Sequence, residues 1–123
     1  MPVLVKTFTI REGLGAVSCP IEAKLREMGL TLPEEPTPGG TYVPGVFSNN
    51  TLWVSGQTAK FDGKRRWVGK VGATLTLEEG YQSARDATLN SLAIIKMYAG
   101  SLDKIRQVLK VNGYVNSAPG FQQ

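Results

Sequence analysis

Two periods of apolar and polar residues alternate along this chain, and they mark out its elements. Residues 2–10, Pro-Val-Leu-Val-Lys-Thr-Phe-Thr-Ile, are rich in β-branched and aromatic types and read as a strand. Residues 11–15 read as a turn. A short helix is expected next: Pro20 suits its first turn, Ile21, Leu25 and Met28 share one face, and Gly29 is a natural stop. Pro33, Pro36 and Pro38, followed by Gly39 and Gly40, describe an extended linker. Tyr42 to Phe47 and Leu52 to Gly56 read as two strands joined through Ser48-Asn49-Asn50, because asparagine tolerates the left-handed backbone of a tight hairpin. Asp62-Gly63 marks a second turn, and Trp67 to Val71 reads as a further short strand.

The strongest signal lies between Thr76 and Tyr98. Thr76 with Glu79 fits a capping box, and Glu78 and Glu79 suit the positive end of a helix dipole. Leu77, Tyr81, Ala84, Thr88, Leu92, Ile95 and Ala99 recur at steps of three and four, which predicts one apolar helix face; Gly100 ends it. Ile105 to Val115 then alternates, with Ile105, Leu109, Val111 and Val115 on one side and Arg106, Lys110 and Asn112 on the other, as in a half-buried strand. An α+β fold with helices on one face of a sheet is the simplest way to bury both apolar faces.

Composition narrows the chemistry more than the fold. The chain has 123 residues, which is one domain, and 14 basic against 10 acidic side chains give a net charge of +4. That modest excess permits acidic ligands without demanding nucleic acid. No apolar run approaches the roughly 20 residues of a membrane span, and the N-terminus lacks the pattern of a secretory signal, so a cytoplasmic location without membrane contact is expected. There is no histidine, which excludes Ser-His-Asp and Cys-His catalysis and any histidine metal ligand. The lone Cys19 forms neither an internal disulfide nor a thiolate cluster and reads as a small packed residue. No metal and no cofactor are expected.

Several stretches, in order, carry a resemblance: Tyr42-Val43-Pro44, Leu52-Trp53-Val54-Ser55-Gly56-Gln57, Gly69-Lys70-Val71-Gly72, Glu79-Gly80-Tyr81, Ala84-Arg85 with Leu89-Asn90, Gly100-Ser101-Leu102-Asp103, and Lys110 to Asn116. From about Ile21 onward the chain resembles the RidA (YjgF) family. The resemblance implies an α+β, chorismate-mutase-like fold with a mixed sheet, assembly into homotrimers, and ligand clefts between subunits. It implies two activities, hydrolysis of enamines and imines such as 2-iminobutanoate, and, for other members, endoribonuclease action.

Against that pattern, residues 19–123 form the family-like domain without the family's usual C-terminal tail, which carries an arginine for the substrate carboxylate and an acidic residue that helps position water. Arg85 and Arg106 do not replace that arginine by position. Residues 1–18 are read as an N-terminal extension whose strand pairs with the depleted sheet or with a neighbour's edge. The first expectation is therefore a trimeric protein that binds small metabolites without catalysis; the alternative is an imine deaminase, and the third is an RNA-binding or ribonuclease-like protein.

The candidate cleft residues are Tyr42, Ser55, Gly56 and Gln57. The resemblance places Tyr42 in the cleft wall, and Gly56 lets backbone approach a ligand. Ser55 supplies a hydroxyl, though a serine with no histidine base is a poor nucleophile and is read as a binder. The ordinary alternatives are a core aromatic for Tyr42 and a plain turn for the rest. Lys64, Arg65 and Arg66, flanked by Lys60, Phe61, Trp67 and Lys70, are candidates for contact with an anion or nucleic acid, against the alternative of a solvated hairpin tip. Pro2, superficially like the catalytic proline of tautomerases, is a remote further candidate.

Overall fold

The computed structural model describes the backbone of residues 3–12 and all of residues 20–123. The expectations for Pro2, Cys19 and the residues between Glu12 and Pro20 lie outside the described residues. A four-stranded antiparallel sheet has the order β2-β3-β1-β6, where β1 is Val3–Glu12, β2 Gly45–Ser48, β3 Thr51–Val54 and β6 Ile105–Val115. A separate hairpin pairs β4, Lys60–Phe61, with β5, Lys64–Arg65. Parallel pairing is confined to isolated bridges from Val71 to Leu75 and Ser117. Two helices, α1 (Pro20–Glu27) and α2 (Leu77–Ala99), complete the α+β architecture.

The N-terminal strand occupies an interior place. β1 pairs with β3 from Thr9 to Arg11 and with β6 along its whole length, with bulges that shift the register three times. It therefore joins the β2–β3 hairpin to β6. The hairpin turns at Asn49 and Asn50, both with positive φ (49° and 57°), which is the left-handed pair that a two-residue turn requires.

α2 begins as the sequence predicts. Thr76 accepts a hydrogen bond from the Glu79 amide at 3.1 Å, and the Glu79 carboxylate accepts one from the Thr76 amide at 2.7 Å. Gly100, at φ 81°, closes the other end by donating to the Lys96 carbonyl. Thr76→Ala is expected to lower stability by about 1 kcal/mol, with Thr76→Ser restoring most of it; urea denaturation of the two variants checks this.

The predicted face of α2 is borne out in its second half, where Ile95 and Ala99 are buried and Ala84 and Leu92 pack against the core, but at its start the buried face is rotated away from it. Leu77 and Tyr81 are more than half exposed, whereas Gly80, Ser83, Ala87, Asn90, Ser91 and Ile94 are buried. Small residues win because they let the helix approach its neighbours: a Cβ on Gly80 would lie 2.8 Å from Val71 Cγ2. The core gathers Leu52, Val54, Ala87, Ile94, Ile95 and Leu102. Ile21 and Leu25 of α1 pack against it, but Met28 lies beyond the helix end and is exposed.

Three further expectations are corrected. Residues 67–71 form no strand; Trp67 has φ 57° and only Val71 makes bridges. Tyr42 precedes β2 rather than opening it. β6 is a strand, but an edge strand with little buried surface: Val108, Leu109, Val111, Tyr114 and Val115 are each at least 45% exposed. On the sheet's outer side Val46 and Trp53, directly opposite in register, are likewise about half exposed. No helix among the described residues is long and apolar enough to cross a membrane.

Candidate functional site

The end of β3 and the following residues leave the sheet beside the β4–β5 hairpin, and the Pro36–Tyr42 strap crosses in front of them. Between these segments lies a cavity of about 430 Å³. Tyr42, Gly56, Gln57 and Arg65 all line it, joined by Thr37, Thr58 and Lys60. Four of the sequence-predicted residues thus meet in one place although up to 23 positions (42 to 65) separate them along the chain. A larger open groove of about 790 Å³ runs between Leu32–Glu35 and Lys96–Gly100, but none of the predicted residues lines it.

Each wall has a local cause. The Tyr42 ring is half exposed, and its phenol oxygen accepts a hydrogen bond from the Gly39 amide at 3.2 Å. That bond folds the strap back on itself and leaves the phenol proton available to a ligand. Gln57 is buried, and its Nε2 donates to the Ser55 carbonyl and Ser55 Oγ at 3.3 and 3.4 Å. Ser55 is therefore a support of the wall rather than part of it: its amide donates to the Pro44 carbonyl at 2.8 Å, and its side chain does not line the cavity.

The basic run is divided. Arg65 reaches the cavity, whereas Lys64 and Arg66 do not. The Arg66 guanidinium sits 4.6 Å over the Phe61 ring, and both Lys64 and Arg66 are exposed. Arg85 lies over Tyr81 on α2 and Arg106 is exposed on β6, so neither approaches the cleft.

Two contributors were named from the sequence without being assigned to the cleft. Lys60 lines the cleft opposite Arg65. Asn90, 1% exposed on α2, donates from Nδ2 to the Thr58 and Lys60 carbonyls at 2.8 and 2.9 Å and so fastens the hairpin wall. A second tie holds the segment after the hairpin, where Trp67 Nε1 donates to the Asp86 carboxylate at 2.9 Å. An asparagine within an amphipathic helix pattern is the signal for such a tie, since a buried amide needs partners.

Comparison with known proteins agrees with this architecture. A family model described as "YjgF/chorismate mutase-like, putative endoribonuclease" matches residues 22–120. Protein TCP17 of Trypanosoma cruzi is 37% identical over 103 residues, which is 84% of this chain and 64% of that protein. A solved structure from Agrobacterium tumefaciens, of unknown function, superposes with a TM-score of 0.73 at 40% identity, covering 83% of this chain and 62% of its own. A Shewanella oneidensis structure described as a "putative endoribonuclease" gives 0.68 at 39%, covering 73% of this chain and 59% of that one. The chain thus spans about three fifths of the length of these relatives. With the family model covering most of its length and these folds superposing on it, the chain belongs to the YjgF/chorismate mutase-like family.

Proposed function

We propose that the chain binds a small metabolite in the cleft between Tyr42, Gly56–Gln57 and the β4–β5 hairpin, and that it does so without turning it over. The observation that carries this reading is the convergence of those residues on one cavity of about 430 Å³, within the size range of small-molecule sites. Among the described residues no carboxylate lines the cavity, so they offer no acidic side chain to activate water. The hydrolytic alternative, imine deamination, is tested by following semicarbazide-trapped loss of 2-iminobutanoate; the purified chain is expected to leave the uncatalysed rate unchanged.

Binding itself is tested by nuclear magnetic resonance of the labelled protein with a panel of charged and neutral amino-acid-derived metabolites. Saturable shifts at the amides of Tyr42, Gly56 and Gln57 are expected. Tyr42→Ala should weaken binding roughly tenfold, the worth of one well-placed hydrogen bond plus ring contact, with little change in melting temperature because the ring is half exposed. Shifts that avoid all three positions would refute the reading.

Assembly into homotrimers belongs to the same proposal. The half-exposed Val46–Trp53 pair and, across β1, the exposed apolar residues on both sides of the edge strand β6 are the apolar areas another copy would bury; sedimentation equilibrium measures the state. An RNA-contacting reading is favoured by one feature, the exposed Lys64 and Arg66 on one hairpin, and requires binding that falls steeply with salt.

A further inference from the structure

We propose that the cleft grips its ligand by an oxyanion, a carboxylate or a phosphate group, seated between Lys60 and Arg65; this rests on the ligand-cleft reading above. The argument begins with register. Lys60 of β4 and Arg65 of β5 are directly opposed partners in an antiparallel hairpin with two residues per strand. Directly opposed residues project from the same face with Cβ atoms about 5 Å apart, and like charges in that arrangement repel. Both side chains line the same cavity.

A protein that opposes two cations normally supplies a counter-charge nearby. Among the described residues no acid stands within ion-pair distance of either cation. The ion pairs are Lys24–Glu27 and Lys96–Glu22, both elsewhere, and no acidic residue lines the cleft. The hairpin's own acid, Asp62, sits at the turn with φ 49° and lines the adjoining cavity with Glu34 and Glu35. Lys60 borders both cavities, whereas Arg65 borders the cleft and not the adjoining cavity. Within the cleft the pair thus has no described ion-pair partner, and a bound anion would supply one.

The remaining wall supplies what an oxyanion needs after its charge is met. The Tyr42 phenol has its oxygen occupied by the Gly39 amide and its proton free to donate. Thr37 and Thr58 also line the space. Arg65 adds a planar fork matched to two oxygens, and Lys60 adds a point charge. Asn90 fixes the Thr58–Lys60 backbone from behind and the strand register ties β5 to it, so the backbone positions of both cations are set before the ligand arrives.

The test uses the full labelled chain at constant ionic strength, with acetate, inorganic phosphate and, as a neutral control, acetamide. Acetate or phosphate should shift the amides of Tyr42, Gly56 and Arg65 saturably, and the stronger of the two names the oxyanion. Acetamide should do so at least about tenfold more weakly, and Lys60→Gln and Arg65→Gln should each weaken anion binding about tenfold, the loss of one charge-assisted hydrogen bond. Lys64→Gln, outside the cleft, should leave it within about twofold. Melting curves of the variants confirm that they fold. Anion shifts that persist in the Lys60→Gln/Arg65→Gln double variant overturn the proposal. Neutral metabolites that bind while both anions fail also overturn it and leave the cleft reading intact; failure of every small molecule at these positions overturns both.

Discussion

Leu52→Ala is expected to cost about 2–5 kcal/mol, the loss that goes with truncating a large, fully buried core side chain. Leu52 is fully buried on β3 and lies in the cluster with Val54, Ala87, Ile94, Ile95 and Leu102. Its backbone is opposed by Phe47 on one side and Ile10 on the other, so no neighbour can slide in to fill the gap without shifting both pairings. A domain of this size is held by only about 5–15 kcal/mol, so the change removes a large fraction of that margin. In urea the midpoint should fall with the slope unchanged. Leu77→Ala is the informative control. Leu77 has the same chemistry but is 52% exposed at the start of α2, and its truncation should stay within about 0.5 kcal/mol. Equal losses at the two positions would mean that α2 buries the face its hydrophobicity suggests, and the described packing would be wrong.

That contrast shows where sequence patterns stop being informative. The start and end of α2 were legible because caps are local: Thr76 and Glu79 satisfy each other across three residues, and Gly100 supplies a left-handed stop. Which face is buried is not local. Gly80 and Ser83 carry almost no hydrophobic signal, yet they are buried because Val71 must come close. The Asn49–Asn50 and Asp62–Gly63 turns were legible for the same reason as the caps, since positive φ demands particular residues. The segment from Trp67 to Val71 was not. Its apolar residues imitate a strand, but Trp67 holds a positive φ and its indole donates to Asp86, nineteen positions away. β6 shows the complementary failure: alternation predicts a strand, but not whether this chain covers its sides.

The cleft divides along the same line. Tyr42, Gly56 and Gln57 were found through resemblance, and Arg65 through its basic run; the structure brings the four together. Ser55 was named for its hydroxyl, and that hydroxyl instead accepts from Gln57 behind the wall. Lys60 was hidden among other cations, because only the strand register distinguishes it from Lys64. The register is set by the two-residue turn at Asp62–Gly63: a shift of one position would oppose different residues and send Arg65 to the other face.

Asn90→Ala should have the second large effect, and it tests how the wall is held. The amide nitrogen serves the Thr58 and Lys60 carbonyls at 2.8 and 2.9 Å from a position 1% exposed. Removing it strips a donor from two carbonyls at once, at about 2–4 kcal/mol if water does not replace it. Asn90→Leu restores the lost volume but not the donors, so it should recover only the packing share. The two variants thus separate a cavity from a lost tie. Hydrogen exchange then locates the damage. The Arg66 amide, bonded to the Ala59 carbonyl at 2.8 Å, should lose protection as the hairpin loosens. The Glu79 amide, capped by Thr76 at the far end of the same helix, should exchange only as fast as the fall in global stability dictates. Anion affinity should fall with Arg66 protection, because the Lys60–Arg65 pair is carried on the segment that Asn90 fastens. Unchanged protection at Arg66 would assign the hairpin's seating to the Trp67–Asp86 bond, and Trp67→Phe, which keeps the ring but not the indole donor, would then be the substitution that frees it.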